Sequence, residues 1–288
     1  ESENKVLKEV GEKPKFDFKP KDYLNLGENL DIIDVKRASK ASGSRFGYLK
    51  SEAVLLEFGL AKLAFDTLAK DGFVPVIPPV MIKDRMMSAM GYIDKKSDQE
   101  ETYFLEKDKL YLVGTSEQSV GPMHADEIFD ESELPKRYVS FSTCFRREAG
   151  SYGRDTKGIL RVHQFDKVEM FSFCHPDKSQ EEHKFLLSLE EKLMKVLELP
   201  YRVMQICTGD LGQVAANKFD IEAWFPSENK YRETHSTSNA TDFQARRLNI
   251  KFQSKNKKEK LAYVHTLNGT VFSQRPILAI LENYQTKK

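Results

Sequence analysis

The most informative segment of this chain reads Phe-Arg-Arg-Glu-Ala-Gly at residues 145–150 and Arg-Val-His-Gln-Phe-Asp-Lys-Val-Glu at residues 161–169. The pattern predicts two antiparallel strands joined by a turn, with residues 138–148 forming the first strand. Because side chains alternate across a strand, Arg146 and Glu148 are expected on one face of it. The returning strand is expected to present a matching set on one face: Arg161, His163, Phe165 and Glu169.

Such a hairpin gathers a cation, an aromatic ring and carboxylates on one platform. This combination suits a nucleotide, because arginine binds phosphate, a ring can stack on the base, and carboxylates accept from amines. An ordinary antiparallel hairpin with one solvated face also looks charged. The residues alone leave both interpretations open.

The bulk composition excludes some classes of protein. The 288 residues are 40% hydrophobic and carry a formal net charge of +1, so any contact with nucleic acid must come from local patches. The three cysteines, Cys144, Cys174 and Cys207, form no CxxC pair, which predicts free thiols and a cytoplasmic location. No apolar run reaches membrane-spanning length, so no membrane partner is expected.

Secondary-structure patterns indicate an α+β protein. Residues 1–30 are charged, contain few apolar positions and are expected to form a connector. Apolar residues recur at helical spacing over residues 51–71, and an extended, Pro-interrupted segment follows at residues 73–79. A core helix leading into an edge strand would show the same pattern. Several strands with a few long helices argue against an alternating βαβ arrangement.

The chain has neither a GxxxxGK[ST] phosphate loop nor a GxGxxG fingerprint. If it binds ATP, arginine side chains must therefore hold the phosphates. Arg146 is one candidate, with an ion pair to Glu148 as the alternative. Arg275 is another, because the following Pro276 predicts a helix that begins there, and a helix N-terminus favours phosphate.

These segments resemble motif 2 of the class II aminoacyl-tRNA synthetases, and specifically the seryl-tRNA synthetases. Residues 115–117, 232–247 and 265–275 resemble further motifs of the same family in the same order, and the resemblance covers about residues 14–285. It implies the class II synthetase fold, an antiparallel β-sheet flanked by helices, with residues 31–288 as the catalytic domain. Residues 51–79 resemble motif 1, which implies a homodimer through that helix and strand.

The resemblance also implies roles for individual residues. It places Arg146 at the α-phosphate and the amino acid carboxylate, and Arg275 at the γ-phosphate, as the catalytic pair. ATP contacts are implied for Arg146, Glu148, Arg161, Val162, His163, Gln164, Phe165, Glu233, Ser236 and Arg275. Serine contacts are implied for Thr115, Glu117, Arg146, Glu169, Asn268 and Thr270. Mg²⁺ is implied at Glu233 and Ser236, whose oxygen atoms suit that ion, and no zinc is expected.

Some of these residues have simpler explanations. Thr115 and Gln118 match a helix capping box, Phe165 could be a core residue, and His163 could be a structural histidine in the sheet. Glu233 and Ser236 could be a strand-end charge and a turn serine. The sequence departs from the usual family pattern at Gln274-Arg275-Pro276 and at His235, to which no role is assigned.

The implied activity is ATP-dependent activation of L-serine to seryl-adenylate, followed by transfer to tRNA(Ser) and also to tRNA(Sec). We expect the chain to be a fragment that lacks the N-terminal coiled-coil arm and is cut short at its C-terminal end, so binding of tRNA should be weakened. One alternative is an armless relative that loads an amino acid onto a carrier protein, although those relatives use zinc. Another is a non-catalytic binding protein, which predicts loss of the motif residues.

Overall fold

The computed structural model describes residues 3–149, 157–256 and 260–287. The turn of the expected hairpin, with Gly153, Arg154 and Asp155, lies outside the described residues, as do residues 257–259. The strands are β1 (Lys5–Val10), β2 (Ile33–Asp34), β3 (Tyr48–Leu49), β4 (Val74–Val76), β5 (Met81–Lys83), β6 (Tyr103–Leu105), β7 (Leu110–Leu112), β8 (Ile128–Asp130), β9 (Lys136–Phe145), β10 (Gln164–Cys174), β11 (Tyr201–Gln205), β12 (Asn217–Phe225), β13 (Lys230–Thr241), β14 (Lys251–Gln253), β15 (Ala262–Tyr263) and β16 (His265–Ser273).

The α-helices lie between and after these strands. They are α1 (Tyr23–Asn29), α2 (Val35–Ser42), α3 (Glu52–Lys70), α4 (Asp84–Ala89), α5 (Lys96–Glu101), α6 (Glu117–Val120), α7 (Ser179–Val196), α8 (Phe243–Leu248) and α9 (Arg275–Asn283). Among the described residues, every helix is too short or too polar to cross a lipid bilayer.

An eight-stranded sheet organises the fold, in the order β1-β11-β12-β13-β16-β10-β9-β4. Its pairs are antiparallel except for β4, which runs parallel to β9 at one edge. Three smaller sheets, β15-β14-β8, β2-β3 and β5-β7-β6, surround it. The predicted α+β class with an antiparallel sheet and flanking helices is confirmed.

The long helices α3, α7 and α9 cover one face of this sheet. Leu60 and Leu68 of α3, Leu193 of α7 and Ile277 of α9 belong to one buried cluster that also includes Val271 of β16. Burial of apolar side chains on this scale is the main force that holds helices to a sheet. The opposite face of the sheet is therefore left to form the floor of a pocket.

The central hairpin is shorter than predicted. β9 ends at Phe145 and β10 begins at Gln164, so Arg146, Glu148 and Arg161 lie beyond the paired strands. The prediction of a first strand reaching residue 148 is wrong, because Glu148 adopts a positive φ of 51° that a strand does not allow. The chain thus turns out of the sheet where the charged residues begin.

The N-terminal segment packs onto the rest of the chain. β1 pairs with β11 at the far edge of the large sheet. The backbone N–H of Tyr23 donates to Glu282 Oε1 at 3.0 Å, which links α1 to α9. The expected connector therefore contributes a strand and a helix to the fold, and a domain boundary at residue 30 stays a prediction.

Candidate active site

A cavity of about 640 Å³ opens on the face of the large sheet away from α3, α7 and α9. Most of the residues that the sequence singled out line it: Thr115, Glu117, Arg146, Glu148, Arg161, Val162, Phe165, Glu233, Ser236, Asn268, Thr270 and Arg275. His163, Gln164 and Glu169 do not line it. The two arginines expected to hold phosphate, Arg146 and Arg275, therefore share one cavity.

Two irregularities in the sheet direct side chains into this cavity. The pairing of β12 with β13 shifts between Ile221 and Glu222, which leaves Thr234 as an extra residue in β13. Glu233 and Ser236 are three positions apart and would face opposite sides of a regular strand, but this bulge allows both to line the cavity. A second shift makes Val271 an extra residue in β16, just before the chain leads into Arg275.

Arg146 is fixed by its backbone and its side chain. Its N–H donates to the carbonyl of His163 at 2.9 Å, and its own carbonyl accepts from His163 Nδ1 at 3.0 Å. The Nε–H donates to the carbonyl of Gly114 at 3.1 Å, and the guanidinium lies 5.4 Å from the centre of the Phe165 ring. The terminal nitrogens are thus presented to the cavity beside an aromatic face.

Arg275 is the first residue of α9, as Pro276 predicted. Its Nη1 donates to the carbonyl of Glu233 at 3.0 Å and to Glu233 Oε1 at 3.1 Å. The unusual Gln274 donates from Nε2 to the carbonyl of Ile159 at 2.6 Å, which ties the start of α9 to the loop that precedes β10. The departure from the family pattern at this point therefore still leaves an arginine at the helix start.

Several cations of the cavity act on the carboxylate of Glu233. The Glu233 side chain is 48% exposed, and although desolvation by its neighbours opposes ionisation, nearby cations hold the pKa of its carboxyl group below the usual value. Those cations are Arg275, Lys218, Arg146 and Arg161, in decreasing order of effect. They come from four different parts of the chain and act on one carboxylate, so the cavity can compensate several negative charges at once.

The segment from Thr115 to Gln118 is not a capping box. Gln118 Oε1 accepts from the N–H of Gly114 at 2.7 Å, and Thr115 Oγ1 accepts from Lys167 Nζ at 3.1 Å. Tyr92 donates a short hydrogen bond to Glu117 Oε1. Burial, and then the neighbouring Glu169, raise the pKa of Glu117 to about 7.

Glu169 lies beneath the cavity floor. Its side chain is fully buried, and its Oε2 atom lies 2.5 Å from Lys167 Nζ. Its Oε1 atom accepts from Asn268 Nδ2 at 3.2 Å. Because Lys167 lines the cavity and Glu169 does not, Lys167 covers the carboxylate that was expected to contact serine.

Two expected ATP contacts lie away from the cavity. The ring of His163 packs 5.3 Å from Phe46 and 6.5 Å from Tyr103, so His163 holds the backbone of Arg146 and contributes no side chain to the lining. Gln164 is exposed and faces away, because the neighbouring Phe165 points into the cavity and side chains alternate. Their roles toward ATP stay predictions without support from this geometry.

Sequence reasoning missed several residues of the site. Lys167 alternates with Phe165, so the strand period could have identified it. Lys218 of β12 also lines the cavity, and its neighbour Asp220 has a pKa raised to about 7 by burial and by Glu233. Residues 211–215 also line the cavity, and no pattern in that loop indicated it.

The cavity offers oxygen ligands for a magnesium ion. Glu233 and Ser236 line the cavity with a carboxylate and a hydroxyl, which suits an ion that takes oxygen ligands, keeps most of its waters and shares phosphate oxygens. Across the described ranges, no group of three or more His, Cys, Asp or Glu side chains could hold a metal ion. The expectation of no zinc stays a prediction.

Comparisons with known proteins agree with this geometry. A family model described as the tRNA synthetase class II core domain (G, H, P, S and T) matches residues 102–284. A seryl-tRNA synthetase from Pyrococcus horikoshii, solved with ATP, superposes with a TM-score of 0.95 at 45% identity and covers 100% of this chain and 68% of that one. The chain belongs to the seryl-tRNA synthetase family.

Other members of the family support the assignment. The serine–tRNA ligase of Corynebacterium kroppenstedtii is 52% identical over 280 residues, which is 97% of this chain and 65% of that protein. A cytoplasmic serine–tRNA ligase from Naegleria fowleri, solved with AMP, has a TM-score of 0.91 at 36% identity. The chain thus spans about 65% of the length of the curated relatives it matches. The predicted class II synthetase fold is confirmed.

Proposed function

We propose that this chain activates L-serine with ATP to form seryl-adenylate and pyrophosphate, and transfers the seryl group to the 3′ end of tRNA(Ser), and also of tRNA(Sec). The observation that supports this most directly is that four cations, Arg146, Arg161, Lys218 and Arg275, line one cavity. A triphosphate needs such a set of fixed positive charges when no glycine-rich phosphate loop is available. The relatives' names, which specify serine and tRNA, support the choice of substrates.

The activation step requires alignment more than a protein nucleophile. A carboxylate oxygen of serine attacks the α-phosphorus, an O–P bond forms, the bond to the bridging oxygen breaks, and pyrophosphate leaves with that oxygen. Arg146 binds the α-phosphate and the serine carboxylate, so it brings the reacting atoms together. Arg275 binds the far end of the triphosphate and stabilises the charge that develops on the leaving group.

ATP and Mg²⁺ are the expected co-substrate and cofactor. Phe165 would stack on the adenine, and Glu148, held by Arg161 at 3.1 Å, would accept from its amino group. Glu233 and Ser236 would hold Mg²⁺, which supplies charge neutralisation on the phosphate oxygens when bound. Arg275 already contacts Glu233, so the residues for the metal and for the terminal phosphate are adjacent.

Serine selection is assigned to the end of the cavity beside β16. Asn268, Thr270, Thr115 and Glu117 line the cavity, and the fully buried Glu169 contacts Asn268 and Lys167. A site built to bond a hydroxyl leaves buried polar groups unpaired when alanine enters, which rejects alanine strongly. Glu117, with its raised pKa, must lose its proton before it can accept from the amino group of serine.

The proposal includes a homodimer in the cytoplasm. Leu55 and Phe58 of α3 are 71% and 62% exposed, and Val74 of β4 and the nearby Ile77 are 54% and 83% exposed. These residues belong to the helix and strand that resemble motif 1. A patch of this kind on otherwise polar surface is typical of a subunit interface.

Serine-dependent exchange of labelled pyrophosphate into ATP tests the activity. We expect exchange with L-serine and little exchange with L-alanine or L-threonine. We also expect the rate of tRNA(Ser) charging to be lower than the rate of serine activation. A folded sample that exchanges with no amino acid would refute the proposal. Transfer to a carrier protein but not to tRNA would favour the alternative ligase, for which no observation in this structure speaks.

A further inference from the structure

The two atoms that Lys167 contacts are the atoms assigned to the substrate. Its Nζ lies 2.5 Å from Glu169 Oε2 and donates to Thr115 Oγ1 at 3.1 Å. Under the proposed function, on which this inference rests, Glu169 and Thr115 both contact serine, and a buried carboxylate such as Glu169 can accept from its ammonium group. A protein ammonium and a substrate ammonium are therefore directed to the same oxygen atoms.

The contact between Lys167 and Glu169 is close but poorly aligned. Glu169 Oε2 makes no hydrogen bond with any described residue, although the ammonium lies within ion-pair distance. A buried carboxylate oxygen without a hydrogen bond is unfavourable, and a better-oriented donor stabilises it. Oε1, by contrast, accepts from Asn268. Oε2 is thus held by the Lys167 ammonium through an ion pair, whereas Oε1 is held by an amide.

Burial makes the competition between these ammonium groups strong. The side chains of Lys167 and Glu169 are 9% and 0% exposed. An ionised carboxylate at such a depth needs a cation beside it, and Lys167 supplies one. A substrate ammonium that approaches Glu169 Oε2 meets the Lys167 ammonium 2.5 Å from that atom, so the two cations compete for it.

We propose that Lys167 is an internal competitor for the amino-group subsite, and that the ammonium of the bound amino acid displaces its Nζ from Glu169 and Thr115. The freed Lys167, on its flexible four-carbon side chain, then turns toward the carboxylate of the same amino acid. Charge is conserved in this exchange, because the zwitterion brings one positive and one negative group. A ligand that lacks the amino group leaves Lys167 beside Glu169. Such a ligand therefore binds more tightly than it would to a site in which Glu169 had no cation at all.

The test compares L-serine with 3-hydroxypropionate, which has the hydroxyl and the carboxylate but no amino group. Inhibition by 3-hydroxypropionate and the KM for serine are measured by pyrophosphate exchange in the wild-type protein and in Lys167→Met. We expect the ratio of the inhibition constant to KM to rise about tenfold in Lys167→Met, because each ligand without an ammonium now leaves Glu169 unpaired. Lys218→Met removes a positive charge from the same cavity, and there the ratio should stay within about twofold.

The outcomes separate this inference from the proposed function. If Lys167 had a purely structural role, or bound the ligand carboxylate from the start, Lys167→Met would weaken the binding of both ligands equally. An unchanged ratio of the inhibition constant to KM would therefore overturn the inference, while serine-dependent exchange would still support the proposed function. No exchange by the wild-type protein would remove both. Should Lys167→Met fail to fold, a crystal structure of the wild-type protein with a non-hydrolysable seryl-adenylate analogue decides. We expect Lys167 Nζ to have left Glu169 Oε2, and a retained 2.5 Å contact would overturn the proposal.

Discussion

Replacing Arg146 with methionine tests the central claim about the site most directly. Methionine keeps much of the side-chain volume but loses the guanidinium that lies over Phe165 and faces the cavity. Removing one donor that stabilises developing charge typically lowers kcat by about 10²–10³, or about 3–4 kcal/mol. Arg146→Lys should recover little of this, because a single ammonium cannot bridge a phosphate and a carboxylate as a planar fork does.

The effect on stability should be much smaller than the effect on activity. Among the described residues, Arg146→Met removes one side-chain hydrogen bond, the 3.1 Å contact from Nε to the carbonyl of Gly114. A single such bond contributes about 1 kcal/mol, and that carbonyl borders a cavity that water can reach. The melting temperature should therefore fall by only about 2–4 °C.

Arg147→Met is the matched control. Arg147 is the next residue and carries the same charge, but it is exposed, lies 5.4 Å from the Tyr103 ring and does not line the cavity. Serine-dependent pyrophosphate exchange at saturating ATP is measured for both variants beside the wild-type protein. If Arg146→Met kept more than a third of the wild-type kcat, or if Arg147→Met lost as much activity, the placement of the phosphate clamp would be refuted.

Further predictions concern pH, assembly and packing. Because Glu117 has a folded pKa of about 7 against an ordinary 4.5, its contribution to stability is present below pH 4.5 and lost as pH rises through 7. When unfolding is measured between pH 4.5 and 8, the free energy of unfolding of Glu117→Gln should rise relative to that of the wild-type protein by on the order of 2–3 kcal/mol. In the same variant, the increase of kcat/KM for serine through pH 7 should flatten. Phe58→Asp should halve the mass measured by sedimentation, while Leu30→Asp, at another exposed apolar residue, should not. Gly269→Ala should lower stability by about 1–3 kcal/mol in urea, because its Cβ would lie 3.0 Å from buried side-chain atoms, whereas Gly59→Ala, with open space around it, should not.

Each of these could fail in an informative way. A flat pH profile in the wild-type protein would mean that Glu117 does not titrate near neutrality. An unchanged mass in Phe58→Asp would place the subunit contact elsewhere. Equal stability of Gly269→Ala and the wild-type protein would show that the packing around Glu190 and Met170 can relax.

Local patterns in the sequence predicted the elements that depend on local physics. The helix expected over residues 51–71 is α3, because the recurrence of apolar residues at helical spacing is a local signal. The helix start at Arg275 followed from the fixed φ of Pro276. In both cases the signal lies within a few residues of the structure that it specifies.

The features that strand alternation could not reveal arise from contacts between distant segments. The extra residues Thr234 and Val271 exist because β12 and β10 hold their neighbours in shifted register, and no spacing within β13 or β16 encodes that. The same holds for the covering of Glu169, because alternation placed it on the cavity face but could not show that Lys167 lies above it. The family resemblance identified the residue types of the site, but the pairing of the strands determines how deeply each side chain is buried.

The near-neutral charge of the chain is reproduced inside the cavity, and this has a consequence for binding. Arg275 pairs with Glu233, Arg161 with Glu148 and Lys167 with Glu169, so each of these cations already forms an ion pair with a carboxylate. Cations crowded together without such partners would repel one another and destabilise the fold. Under the proposed function, an anionic group that binds Arg275, Arg161 or Lys167 takes that cation from its carboxylate, and the carboxylate becomes available to an incoming positive group. Binding of serine and ATP is then an exchange of ion pairs, which predicts that removing a carboxylate such as Glu233 weakens catalysis as much as removing the arginine beside it.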